Sequence, residues 1–263
     1  MAPDARPRGP RRCPPDPDAA ADPPGLRVVS HRGPIAHGVI LAAGMGRRLG
    51  ADRPKPLVEI AHGQTLLGRL LATLESIVGP GGVTLVVGHE ADRVRAAAPG
   101  IRAVLNPRYA DTNTAKSLLL ALDAIEEGDV VWANADLVID PADALRFAAQ
   151  TGSRSLVRRG PVDPEAVAYT EGPAGDIARI GKGVRPAAGE AVGFNLITGA
   201  DRPALADALR AAEDSAYFED AMQACIDARS VRFRPVVASG LCREVDTPED
   251  LAEVRRALRG GRP

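Results

Sequence analysis

The chain has little net charge, few lysines, few cysteines, few aromatic rings and no long apolar run. Formal net charge is −1, so no overall field draws it onto nucleic acid or an anionic membrane. No stretch approaches the ~18 consecutive apolar residues of a transmembrane helix. The three cysteines, Cys13, Cys225 and Cys242, form no CxxC pair. That excludes a disulfide framework and a structural zinc site, and it suits a reducing cytoplasm. No Ser, His or Asp stands in a nucleophile-elbow context, which argues against acyl transfer. Aromatic residues make up 3% of the chain, so few rings are available to surround a quaternary cation.

Lysine is the sharpest scarcity. Of 33 basic residues only Lys55, Lys116 and Lys182 are lysine. In a chain that uses Arg so freely, the survivors mark places where a compact ammonium differs from a planar guanidinium. Chance retention is the plain alternative.

What is present is an ordinary globular mix, 45% hydrophobic and 25% charged. Residues 1–37 hold 9 of the 23 prolines and no apolar periodicity, so a disordered Pro/Arg-rich tail is expected there. From Gly38 the pattern changes. Gly38–Ala42, Val83–Val87, Ile101–Leu105 and Asp129–Ala133 read as strands. Thr65–Val78, Ala91–Ala98, Thr114–Glu127 and Asp140–Gln150 read as the helices between and after them. This alternation predicts an α/β domain over 38–263: three α/β/α layers around a mixed, mostly parallel sheet. After Ser153, short β-type runs give way to helices near Ala204–Ala212 and Phe218–Ala228. A strand at Val231–Val237 and a helix at Pro248–Leu258 follow. Thr247 and Asp250 form a box-like cap for that last helix.

The strongest local signal is Leu41-Ala-Ala-Gly44-Met-Gly46-Arg-Arg48-Leu49, followed by Pro54-Lys55-Pro56. Glycine allows a tight turn and lets backbone N–H groups approach phosphate oxygens. Arg48 adds a fork of donors. A dinucleotide fingerprint would need glycine where Leu49 stands, and no GxxxxGK[ST] string follows Gly44. Asp136 and Asp246 each follow a strand-like run, and strand carboxyl ends are where open α/β sheets bind ligands. Two such carboxylates could share Mg²⁺, although a single Asp at a strand end is more often a cap.

These residues resemble the signature LxxGxGxRLxxxxPKP of the nucleotidyltransferases that join an NTP to a phosphorylated acceptor. Trp132-Ala-Asn-Ala-Asp136, Ile180-Gly-Lys182 and Glu244-Val-Asp246-Thr-Pro fit the same family in order. Asn106–Leu118 is most similar to the branch that includes bacterial phosphocholine cytidylyltransferases. The resemblance implies an enzyme that transfers CMP from CTP to a small phosphorylated or phosphonate acceptor, releasing pyrophosphate. It implies Arg48, Lys55 and Lys182 as catalytic residues, with Lys182 on the acceptor phosphate, and Asp136 and Asp246 on Mg²⁺. Leu41, Ala42, Ala43, Gly44, Gly46, Gly88, Asn113, Thr114 and Ser117 are the expected nucleotide contacts. For Asn113 a helix N-cap, and for Ser117 a packing role, stay open.

Tyr217, Glu219 and Asp220 are the expected acceptor contacts, since rings and carboxylates would suit a cationic amino alcohol. Tyr169, Phe194 and Phe218 are the other rings in that half. An inositol phosphate or sugar 1-phosphate acceptor, with CTP, UTP, GTP or dTTP, is the second enzymatic reading. A non-catalytic nucleotide-sensing module is the alternative from another class. Neither nucleic acid nor membrane is an expected partner, and a homodimer stays open.

Overall fold

The computed structural model describes residues 35–50 and 52–260. The element order opens with β1 (His37–Ala42), β2 (Glu59–Ala61), β3 (Gln64–Thr65), α1 (Leu66–Val78), β4 (Val83–Val87), α2 (Ala91–Ala96) and β5 (Arg102–Leu105). It continues with α3 (Thr114–Asp123), β6 (Val130–Asn134), β7 (Leu137–Ile139), α4 (Pro141–Ala148), β8 (Arg154–Arg159), β9 (Val167–Glu171), β10 (Ile177–Lys182) and β11 (Gly189–Ile197). It ends with α5 (Arg202–Ala211), α6 (Phe218–Asp227), β12 (Arg234–Val237), β13 (Cys242–Glu244) and α7 (Pro248–Gly260).

The central sheet runs β10-β9-β11-β6-β1-β4-β5, with β8 pairing β11 and β12. The β6-β1-β4-β5 core is parallel, whereas β11 runs antiparallel to β6, β8 and β9. The expected mixed three-layer α/β/α architecture is therefore present. One face carries α3, α5 and α6 through Leu118, Leu122, Leu205, Leu209, Phe218 and Met222. The other carries α1 and α4 through Leu67, Leu70, Leu74 and Phe147. Val39, Ile40, Val86 and Val131 are fully buried, as near-continuous apolar strands covered on both faces must be.

Several boundaries differ from the expected ones. The fold starts before Gly38: Ile35 is buried, and the Ala36 and His37 N–H groups donate to the Asp129 carbonyl. The rest of the expected tail, residues 1–34, lies outside the described residues. Helix α3 stops at Asp123 because the Ala124 and Ile125 N–H groups turn back to the preceding carbonyls. Two short pairings were not legible: the β2–β3 hairpin, and β13 antiparallel to β7. The second matters most for the site. Among the described residues no helix is long and apolar enough to cross a membrane.

Candidate active site

Strand β1 ends in the glycine loop. The Leu41 carbonyl accepts from Ala135 N–H and the Ala43 carbonyl from His89 N–H, so the loop is tied to both neighbouring strand ends. Gly46 has φ +56°, and a Cβ there would lie 2.6 Å from Lys55 Cβ. Glycine is needed at that point for the backbone turn and for the close approach of Lys55. Pro54 is extended and leads into a single 3-10 turn, Lys55–Leu57. That turn aims the lysine back under the loop.

The two aspartates reach this lysine from residues 110 positions apart in the chain. Asp136 follows β6 and Asp246 follows β13. Because Glu244 pairs with Leu137 and the Val245 N–H donates to the Asp136 carbonyl, the two residues arrive side by side. The Lys55 Nζ donates to Asp136 Oδ2 at 2.6 Å and to Asp246 Oδ1 at 2.5 Å. Arg48 reaches Asp246 Oδ2 at 3.1 Å. Burial alone would pull the Lys55 ammonium down, but Asp136 and Asp246 outweigh it and hold the pKa above the ordinary lysine value. Burial would likewise raise the Asp246 carboxyl, yet Lys55 and then Arg48 hold it below the usual range.

Asp246 is not the cap of the last helix. Asp250 accepts from the Asp246 and Thr247 N–H groups, while Thr247 Oγ1 accepts from Asp250 N–H. The capping box leaves the Asp246 carboxylate for the cations. Asp136 Oδ1 is buried with no hydrogen-bond partner. An orphaned hard oxygen beside a second carboxylate fits an ion such as Mg²⁺ that shares its shell with phosphate and water. Among the described residues no group of three or more His, Cys, Asp or Glu could enclose a metal.

A cleft of about 380 Å³ opens over this pair. Its wall includes the expected residues Leu41, Ala42, Gly44, Gly46, Arg48, Lys55, Asn113, Asp136, Tyr217 and Asp246. Met45, Pro56 and Ala135 also line it. Asn113 is both N-cap and wall: its Oδ1 accepts from Thr114 N–H, and its Nδ2 donates to the Ser215 carbonyl. Lys182, at the end of β10, lies over the Tyr217 ring at 4.8 Å, with its Nζ 3.5 Å from the hydroxyl.

Other expected contacts fall elsewhere. Ser117 is buried and accepts from Asn106 Nδ2. Thr114 Oγ1 accepts from the Phe218 N–H and holds the start of α6. Ala43 is buried in the core, and Gly88 lies behind the loop. A Cβ on Gly88 would stand 2.6 Å from Tyr109 Cβ and 2.9 Å from the Ala43 carbonyl. Asp220 caps α6 by accepting from Tyr217 N–H. Glu219 is turned inward and is 4% exposed; burial pushes its carboxyl up to about 8. Tyr169, Phe194 and Phe218 are fully buried core residues, so of the expected rings only Tyr217 faces the cleft. Lys116 faces neither nucleotide nor solvent: its Nζ donates to the Leu209, Arg210 and Ala212 carbonyls at the end of α5.

One pair escaped the sequence reading. Asn134 Nδ2 donates to Glu244 Oε1 at 3.0 Å. Each is the last residue of its strand and stands two residues before an aspartate of the pair. Burial pushes the Glu244 carboxyl up to about 8, with Asp136 adding to the rise. Gly193 of β11, at φ +65°, passes so close that a Cβ would meet both side chains. The spacing Asn-x-Asp and Glu-x-Asp was the available signal.

A glycine loop at a parallel strand end, a buried lysine and two convergent carboxylates define an α/β protein of the nucleotidyltransferase class. Residues 38–182 match the MobA-like NTP transferase domain, and the chain belongs to that family. It is 32% identical over 222 residues to the bifunctional IPC transferase and DIPP synthase of Rubrobacter xylanophilus, a match covering 81% of this chain and 49% of that protein. It is 35% identical over 156 residues to the bifunctional protein GlmU of Azotobacter vinelandii, covering 59% of this chain and 31% of that one. The chain thus spans less than half the length of these curated relatives. The fold is also that of the inositol-1-phosphate CTP transferase from T. maritima, with TM-score 0.69 and 18% identity over 88% of this chain and 99% of the other. The CTP:phosphocholine cytidylyltransferase from Streptococcus pneumoniae gives TM-score 0.65 and 19% identity over 85% and 99%.

Proposed function

We propose that this protein is an enzyme that transfers a nucleotidyl group from an NTP to a small phosphorylated acceptor and releases pyrophosphate. The observation that carries this reading is the meeting of Lys55 with Asp136 and Asp246 beneath the Leu41–Gly46 loop. An acceptor phosphate is already largely anionic near neutral pH, because its second pKa is ~6. It needs no general base. One of its oxygens attacks the α-phosphorus in line; the bond to the bridging oxygen breaks, and the electron pair leaves with pyrophosphate. Catalysis is then positioning and charge neutralisation. The loop N–H groups hold the triphosphate and Arg48 balances its leaving end. Lys55 meets charge growing at the α-phosphate. Lys182, steadied on Tyr217, holds the acceptor phosphate. Asp136 and Asp246 would hold Mg²⁺, which supplies Lewis-acid neutralisation of the phosphates.

CTP is the favoured donor. The two structural likenesses named for CTP use support it. For the acceptor, one ring in the cleft is a poor cage for a quaternary ammonium. Asn134 and Glu244 lie next to the aspartates, outside the residues that line the cleft, and bond to each other; an acceptor that needs no cage of rings, such as a polyol phosphate, is therefore favoured. A reducing cytoplasm suits the buried free thiols of Cys225 and Cys242. The test is pyrophosphate release from CTP, UTP, GTP and dTTP, each with Mg²⁺ and with inositol phosphate, phosphocholine and sugar 1-phosphates. CTP with the polyol phosphate is expected to release it fastest. No release from any pair would overturn the reading.

A further inference from the structure

Lys55 stands where a cation shared by Asp136 and Asp246 would have to stand. Its side chain is 11% exposed and bonded to both carboxylates. Arg48 engages the second oxygen of Asp246. Two anions therefore meet two cations, and three of the four carboxylate oxygens are occupied. The pairing of β7 with β13 forces the two carboxylates together in a partly buried place. Like charges so placed repel strongly unless a cation lies between them. The anchor of Lys55 is fixed, with its Cβ against Gly46 and a proline on either side. Its four-carbon stem still leaves the ammonium free to swing.

We infer that Lys55 is an internal counter-ion that closes the carboxylate pair until nucleotide arrives, so that divalent metal and nucleotide enter together. The identity of the arriving ligand rests on the transfer reading above; the counter-ion role does not. A divalent ion alone must evict an ammonium from a site whose charge is already balanced. A triphosphate changes that balance. It gives Lys55 and Arg48 a new anionic partner above the glycine loop and frees the carboxylate oxygens for metal. Such linkage is reciprocal: metal strengthens nucleotide binding by the same factor.

The experiment measures Mn²⁺ binding by paramagnetic resonance, and thermal melting with chelator or with Mg²⁺, all without nucleotide. The wild type should bind Mn²⁺ weakly and melt at nearly the same temperature with and without Mg²⁺. Lys55→Met keeps the stem and removes the charge. It should bind Mn²⁺ more tightly by roughly 5–150-fold, the usual span of a coupling between sites. In chelator it should melt lower than the wild type by about 2–4 °C or more, and Mg²⁺ should restore the loss. Wild-type Mn²⁺ binding as tight as that of Lys55→Met would overturn the inference. If Lys55→Met is not recovered folded, Lys55→Met/Asp246→Asn removes one charge of each sign. That double variant should fold, with melting indifferent to Mg²⁺. Its failure to fold would also overturn the inference. None of these readouts requires turnover, and pyrophosphate release by the wild type tests the transfer reading separately.

Discussion

The two glycines of the Gly44-Met-Gly46 loop should fail in different ways. Gly46 has φ +56°, where a side chain costs about 1–2 kcal/mol. A methyl group would also stand 2.6 Å from Lys55 Cβ, against the ~3.5–4.0 Å of ordinary carbon contact. Lys55 or the loop must therefore shift by about 1 Å. A displacement of that size at a positioning group costs ~10²-fold in rate. Gly46→Ala should accordingly lower kcat by ~10²-fold and Tm by roughly 2–8 °C for a chain of this size. Gly44 is outside the positive-φ set, and a Cβ there meets nothing within 4 Å, yet the residue lines the cleft. Gly44→Ala should leave Tm unchanged and raise KM for the NTP. The assay is steady-state pyrophosphate release with a melting curve for each variant. Full kcat in Gly46→Ala would refute the argument that this glycine exists to seat Lys55.

Asp136→Asn should reduce kcat by ~10²-fold or more while the fold persists, and chelator should abolish wild-type turnover until Mg²⁺ is restored. Lys55→Ala should lower kcat, because its partner charge develops in the transition state. Lys182→Ala should chiefly raise the acceptor KM; equal, mild effects of both would contradict that division. Lys116→Met loses three charge-assisted hydrogen bonds at the end of α5. It should cost about 1–2 kcal/mol in denaturant unfolding with kcat retained. Glu219 holds its proton to about 8 in the fold, against an ordinary 4.5. The unfolded chain releases that proton first, so stability should fall as pH rises from about 4.5 to about 8. Glu219→Gln should make the Tm profile shallower across that window, the remaining slope belonging to Glu244, whose carboxyl burial also pushes up to about 8; an unchanged slope would show that Glu219 does not contribute to it.

The features legible before the fold was known are local. The apolar run of β1, the glycines that follow it and the Pro-Lys-Pro turn are contiguous, so their conformations are set by neighbours a few residues away. The helical stripe of α1 and the Thr247–Asp250 cap were legible for the same reason. Lysine scarcity pointed to three positions, of which the structure places Lys55 on two carboxylates and Lys116 on three carbonyls. It did not distinguish a site lysine from Lys116, because the carbonyls at the end of α5 also give an ammonium hydrogen-bond partners.

How distant residues meet was set by strand pairing and packing across the whole fold. Glu244 pairs with Leu137 through strands too short to announce themselves, and that register carries Asp246 to Asp136 and Glu244 to Asn134. Burial likewise sorted the acceptor half. Tyr217 stays exposed at the mouth of α6, while Phe218 packs on Trp132 and Glu219 turns inward. Adjacent residues on a helix point about a quarter-turn or more apart. Which of three neighbours faces the cleft is therefore fixed by what the helix packs against: Trp132 of β6, β10 and the helices α3 and α5, of which only α5 is near it in the chain.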